Sequence, residues 1–211
     1  TPIYGYEGKT SVPYETFKER VDVLMPEIVR LSGEYKNGSA ALRLALDALE
    51  TDGSADNEKR VFASADALTN IGQQLGVLMG AKHENERYWK KADVMRAASG
   101  DFLFSRQEFE SKAQKDTAAG KSMETRFLSL GIELEALHKR VISSAHGSQK
   151  RRKLMEEYRQ AVDHYLQVNN QAASIKGMAQ ENVNYMGWTD KYVRAAGGEA
   201  VLLAQKDTVQ I

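Results

Sequence analysis

Four histidines, twenty-nine acidic side chains and no cysteine bound the chemistry open to this 211-residue chain. The missing thiol excludes disulfides, cysteine nucleophiles and zinc–thiolate sites. Glu135 and His138 form an ExxH pair on a helical stretch. A di-iron bundle needs two such pairs and two further glutamates, and no second pair occurs. His83, His138, His146 and His164 show no metal-ligand spacing. No P-loop, nucleophile elbow, HExxH or dinucleotide fingerprint is present. The sequence therefore reads as non-enzymatic, with no catalytic, cofactor-binding or metal residue assigned.

Three other groups carry possible chemistry. The first is a polar level: Lys82–Arg87, Glu110–Ser122 and Lys176–Asn184 are all polar or small, with Gly80, Gly120 and Gly177 close by. If the chain folds back in hairpins, these stretches lie side by side as a thin, loosely packed waist. His83, Asp116 and Asn182 are then candidates to line a small-molecule pocket; the plainer reading is that a polar seam residue fixes helix register. The second group is Lys150, Arg151, Arg152 and Lys153. Positive charge at a helix start opposes the macrodipole, so this run is either a solvated turn or a contact for phosphate or a partner carboxylate. The third is Asn37 in the sequon Asn37-Gly38-Ser39, a glycosylation candidate in a secreted protein.

Long helices must position all of these. From Leu154 the series Tyr158, Ala161, Tyr165, Val168, Ala172, Ile175, Ala179, Asn182, Met186 steps by four and three, which marks one narrow buried seam. Similar seams run through Val61–Met95 and Phe109–Val141. The spacing predicts three long helices over about 55–99, 101–146 and 148–196, plus a broken N-terminal helix over about 14–51. Short turns at Asp52-Gly53, Gly100-Asp101 and His146-Gly147-Ser148 force antiparallel neighbours. The N-terminal helix is expected to kink at Pro26 and break at Asn37-Gly38, with Ser39 capping the second piece. The expected fold is all-α: one elongated antiparallel bundle over 1–211, with an extended arm at 1–13 and a tail at 197–211. Both tryptophans gather with Tyr88, Met95, Phe102, Phe104, Phe109, Tyr185, Met186 and Tyr192 at one end. Gly72, Gly76 and Gly80 form GxxxGxxxG, read here as close backbone approach inside the bundle.

Twenty-nine basic residues balance twenty-nine acidic ones, a charge pattern that argues against nucleic acid or an anionic membrane surface as partner. No apolar run reaches the length of a membrane span, so any membrane attachment is expected through an anchor outside this chain. A protein partner or self-packing remains open.

The ragged arm, the three very long antiparallel helices, the short turns, the alanine-rich seam and the lack of cysteine together resemble the surface-coat bundles of African trypanosomes. Within that family the glutamic acid/alanine-rich protein is the most similar in lacking cysteine, and the haptoglobin–haemoglobin receptor and variant surface glycoproteins are its wider relatives. The resemblance implies a GPI-anchored ectodomain at the cell surface, acting as protective coat or receptor. The alternatives are a coiled-coil or membrane-curving scaffold in the periplasm or cytoplasm, and a small-molecule sensor with its site at the polar waist.

Overall fold

The computed structural model describes residues 9–10, 14–99 and 104–195. Among these lie four helices, α1 (Tyr14–Thr51), α2 (Ala55–Ser99), α3 (Arg106–Ile142) and α4 (Gln149–Ala195). The protein is an all-α bundle, as the seams predict. Two short strands, β1 (Lys9–Thr10) and β2 (Phe104–Ser105), pair antiparallel. β2 takes the place of the expected start of the third helix, which begins at Arg106 instead of 101. That helix also stops at Ile142 and gives way to a turn, in which Ser144 N–H bonds back to the Val141 carbonyl at 3.1 Å. Gly147 holds φ at 70°, a left-handed conformation that glycine adopts freely.

The helix starts follow their caps. Ser54 Oγ accepts from the Asn57 N–H at 3.4 Å, and Ser148 Oγ accepts from the Arg151 N–H at 3.1 Å. Each serine thereby satisfies one amide that the first turn leaves without an intrahelical partner.

The N-terminal helix corrects one expectation. α1 runs unbroken through Pro26 and through Asn37-Gly38. Ser39 does not cap; its hydroxyl donates to the Tyr35 carbonyl one turn back, at 2.9 Å. Gly38 serves packing instead of a turn. A Cβ there would stand 3.0 Å from Leu68 Cδ2, so the missing side chain admits α2.

The chain divides into two compact units, and all four helices contribute to each. One comprises residues 1–26, 79–118 and 175–211; the other comprises 27–78 and 119–174. The divisions fall at Pro26 and within a few residues of Gly80, Gly120 and Gly177, the polar level picked out from sequence. The second unit holds an apolar core of Leu42, Leu46 and Leu49 from α1, Val61 and Leu68 from α2, Val141 from α3, and Leu154, Met155, Tyr158, Val162 and Leu166 from α4. The first unit is built on aromatic rings, described below. Phe102 and the tail 197–211 lie outside the described residues, as do the side chains of Met95, Phe104 and Tyr192.

Gly72 and Gly76 both lie in close approach to α4. A Cβ on Gly76 would meet the Asn170 carbonyl oxygen at 2.8 Å and Ala173 Cβ at 2.6 Å. Neither neighbour is the loose end of a flexible side chain. Gly76→Ala should cost about 1–3 kcal/mol in urea denaturation, the usual penalty for overpacking. Gly131→Ala in α3, where the nearest atom is Tyr165 Cε2 at 3.5 Å, should instead gain up to about 1 kcal/mol from helix propensity. Equal effects at the two positions would refute the close-approach reading.

Candidate functional site

The first unit carries dense polar chemistry one helical turn from four packed rings. Phe17, Tyr88, Phe109 and Tyr185 come one from each helix and pack with centroids 5.2–6.0 Å apart. Their geometry mixes stacked and edge-on pairs, the arrangements that ring quadrupoles favour. Trp89, Met186 and Trp188 pack around them.

Beneath the rings the helices carry buried ionic and amide groups. Glu84, Asn85, Glu181 and Asn182 are each no more than 3% exposed. Tyr88 Oη donates to Asn182 Oδ1, and Tyr185 Oη donates to Asn85 Oδ1. Asn182 Nδ2 donates to Glu84 Oε1 at 2.8 Å and to the Met178 carbonyl at 2.9 Å. Arg87 holds Glu84 at 2.6 Å, and Arg20 holds Glu181 at 2.5 Å. Lys112 lies 3.9 Å from Glu84 and 2.5 Å from Asp116.

This arrangement repeats itself. Glu84-Asn85-x-x-Tyr88 on α2 and Glu181-Asn182-x-x-Tyr185 on α4 are the same motif. Phe17-x-x-Arg20 on α1 and Phe109-x-x-Lys112 on α3 match in the same way. Each tyrosine reaches the asparagine of the other motif, and each glutamate meets the cation of a different helix: Arg20 with Glu181, Lys112 with Glu84. Side chains on a helix lean toward its N-terminus, so two parallel helices can exchange such bonds one turn back. The first unit thus has an internal pseudo-two-fold.

Burial sets the titration of this layer. Desolvation raises the Tyr88 and Tyr185 hydroxyls well above the ordinary phenol range, reinforced by Glu84 and Glu181 respectively. Burial also pushes Glu84 up, but hydrogen bonds from Arg87 and Asn182 and the Arg87 and Lys112 charges outweigh it, and the carboxyl is held below its usual range. The Glu84 hydrogen bond raises Arg87, and the Glu181 bond does the same for Arg20.

The residues chosen from sequence fare unevenly. Asn182 and Asp116 are buried at this layer and are linked through Glu84 and Lys112. His83 is exposed, so the three do not line one pocket. Glu84 and Asn85, one and two residues further on, take the inward positions.

The basic run also splits. Lys150, Arg152 and Lys153 are exposed, whereas Arg151 is only 1% exposed and is no surface contact. Its guanidinium donates to the carbonyls of Leu49 at 2.8 Å, Val141 at 3.1 Å, Ser144 at 3.2 Å and Glu50 at 3.4 Å. It caps the C-terminal ends of α1 and α3 together, where unsatisfied carbonyls and the macrodipole both favour a cation. Gly53 makes room for it: a Cβ there would lie 2.8 Å from Arg151 Nη2.

The ExxH pair points two ways. Glu135 faces out and pairs with Lys139 at 2.8 Å. His138 faces in, with Nε2 3.1 Å from Glu58 and Nδ1 3.2 Å from the Tyr158 hydroxyl. This carboxylate–imidazole–phenol chain ends on a buried tyrosine whose ionisation is pushed up to about 12, by burial and then by Glu58. The chain ties α2, α3 and α4 together through side chains. Among the described residues no cluster could hold a metal ion. Asn37 is exposed on α1, though within a continuous helix.

No family model, curated protein or solved structure matches this chain.

Proposed function

We propose that this chain is a non-enzymatic helical ectodomain, a cell-surface coat or receptor protein attached to the membrane through an anchor outside these residues. The observation that carries the reading is the closed polar interior. Glu84 and Asn182 bond to each other and to Arg87 and Tyr88, Asn85 to Tyr185, Glu181 to Arg20, and Arg151 to helix ends, so their role is to specify which helix meets which. Such a bundle offers its outer surface for function. The resemblance to trypanosome coat proteins and the exposed Asn37 sequon support a surface antigen or glycoprotein. No described helix is long and apolar enough to cross a membrane.

Antibody labelling of intact source cells tests this. Labelling without permeabilisation, together with a glycosidase shift that Asn37→Gln abolishes, is the expected result. Labelling only after permeabilisation would sink the surface reading and leave the intracellular scaffold. The scaffold reading also requires a stable dimer joined along one apolar stripe. Among the described residues the exposed large apolar side chains are instead spread over all four helices: Val23, Val29 and Leu44 on α1, Phe62 and Val94 on α2, Leu128 and Ile132 on α3, Val183 on α4. Light scattering should therefore return a monomer.

A further inference from the structure

The second unit contains a groove of about 770 Å³ between α1 and α4. That volume lies within the range of small-molecule sites. Its floor is apolar: Leu42, Leu46, Leu68 and Leu166 line it. Two polar bridges between the walls frame it. Asn170 Nδ2 donates to Tyr35 Oη at 3.0 Å, and Arg159 holds Asp47 at 2.9 Å and Glu50 at 2.8 Å. From Tyr35 to Asp47 along α1 is roughly 18 Å at the helical rise.

These bridges set α1 and α4 antiparallel, with Tyr35 opposite Asn170 and Asp47 opposite Arg159. The same register brings Arg43 and Asp163 to one height on opposite walls, and both line the groove. Arg159 is already engaged by two carboxylates. Arg43 and Asp163 are not: both are exposed, and among the described residues neither has an ion-pair or hydrogen-bond partner. The groove therefore presents one available cation and one available anion, face to face above a leucine floor.

The internal repeat sharpens the point. The spacing that relates Phe17 to Phe109 puts Glu135 and His138 at the places of Arg43 and Leu46. There His138 is committed to Glu58 and Tyr158, and Glu135 to Lys139. The opposed charges over leucine belong to the α1–α4 side, where the two halves of the sequence diverge.

We propose that this groove binds an apolar amino acid or short apolar peptide by its free termini. The carboxylate sits on Arg43, the ammonium on Asp163, and the aliphatic side chains on Leu42, Leu46 and Leu166. A zwitterion is the occupant that matches both available charges at once and leaves neither unpaired. Gln167 and Gln171 on the α4 rim supply amides for a peptide bond. This goes beyond the surface-protein reading and does not depend on it, since cell labelling and ligand binding are measured separately.

Titration calorimetry of the whole chain with the dipeptide Leu-Leu tests the proposal. Saturable one-site binding is expected. Arg43→Gln and Asp163→Asn should each weaken it about tenfold, on the order of one charge-assisted contact. Both positions are exposed, so circular dichroism should report an unchanged fold. N-acetyl-Leu-Leu-amide, which lacks both charges, should bind at least as weakly as the single variants. Three results would overturn the proposal: no saturable heat with Leu-Leu, equal affinity for the capped peptide, or binding of a neutral alkyl detergent with no binding of Leu-Leu.

Discussion

Arg151→Ala should unfold at markedly lower denaturant than the parent chain, with a loss of about 3–5 kcal/mol. The side chain is buried and is the shared donor for carbonyls at the ends of two helices. Without it, those carbonyls face a cavity with neither donor nor cation. Arg151→Met separates packing from hydrogen bonding, because it keeps most of the volume and removes every donor. It should be nearly as destabilising as alanine. Arg151→Lys should recover only part of the loss, since an ammonium is a point charge and cannot span two helix ends as a planar guanidinium does. Gln at Lys150, Arg152 or Lys153 should stay within about 0.5 kcal/mol of the parent, as exposed positions do. A methionine variant as stable as the parent would show that Arg151 acts by bulk alone.

The contrast within that run shows what periodicity can and cannot convey. The a/d seams placed α2 and α4 almost to the residue, because a narrow stripe on a long helix leaves one solution. Ser54 and Ser148 cap by bonds within their own first turn, the kind of feature that a local sequence pattern carries. Asn37-Gly38 was not, because a glycine that admits a neighbouring helix and a glycine that ends one look alike until the neighbour is placed. Counting residues from a hairpin gives height along the axis and leaves rotation about it open. His83 therefore shares the level of this layer but faces outward, while Asp116 and Asn182, on the seams, are buried. Arg151 was hidden in a charged tetrad, where burial is the exception. The duplicated Glu-Asn-x-x-Tyr motif was present in the sequence all along. That repeat is the sequence signal that marks Glu84, Asn85 and Glu181.

That duplication also ranks two asparagines. Asn182→Ala should cost about 2–5 kcal/mol, because it strands the Tyr88 hydroxyl and one bond to the Glu84 carboxylate. Asn85→Ala strands the Tyr185 hydroxyl alone among side-chain partners and should cost less, about 1–3 kcal/mol. The pH dependence follows from the same groups. The folded Glu84 carboxyl ionises below the ordinary carboxylate range of about 4.3, so its stabilising contribution is present above that pH. It disappears as pH falls through the lower, folded value. The stability gap between parent and Glu84→Gln should therefore narrow on acidification below about pH 4. On the alkaline side the folded Tyr88 and Tyr185 keep their protons past the point where the unfolded chain loses them, near pH 10. Stability should then fall as pH rises above about 10, and Tyr88→Phe together with Tyr185→Phe should make that slope shallower, the remainder coming from Tyr158 and Tyr165, whose ionisation burial also raises. A gap between parent and Glu84→Gln that widens in acid would mean that burial, and not Arg87 and Asn182, governs this carboxylate.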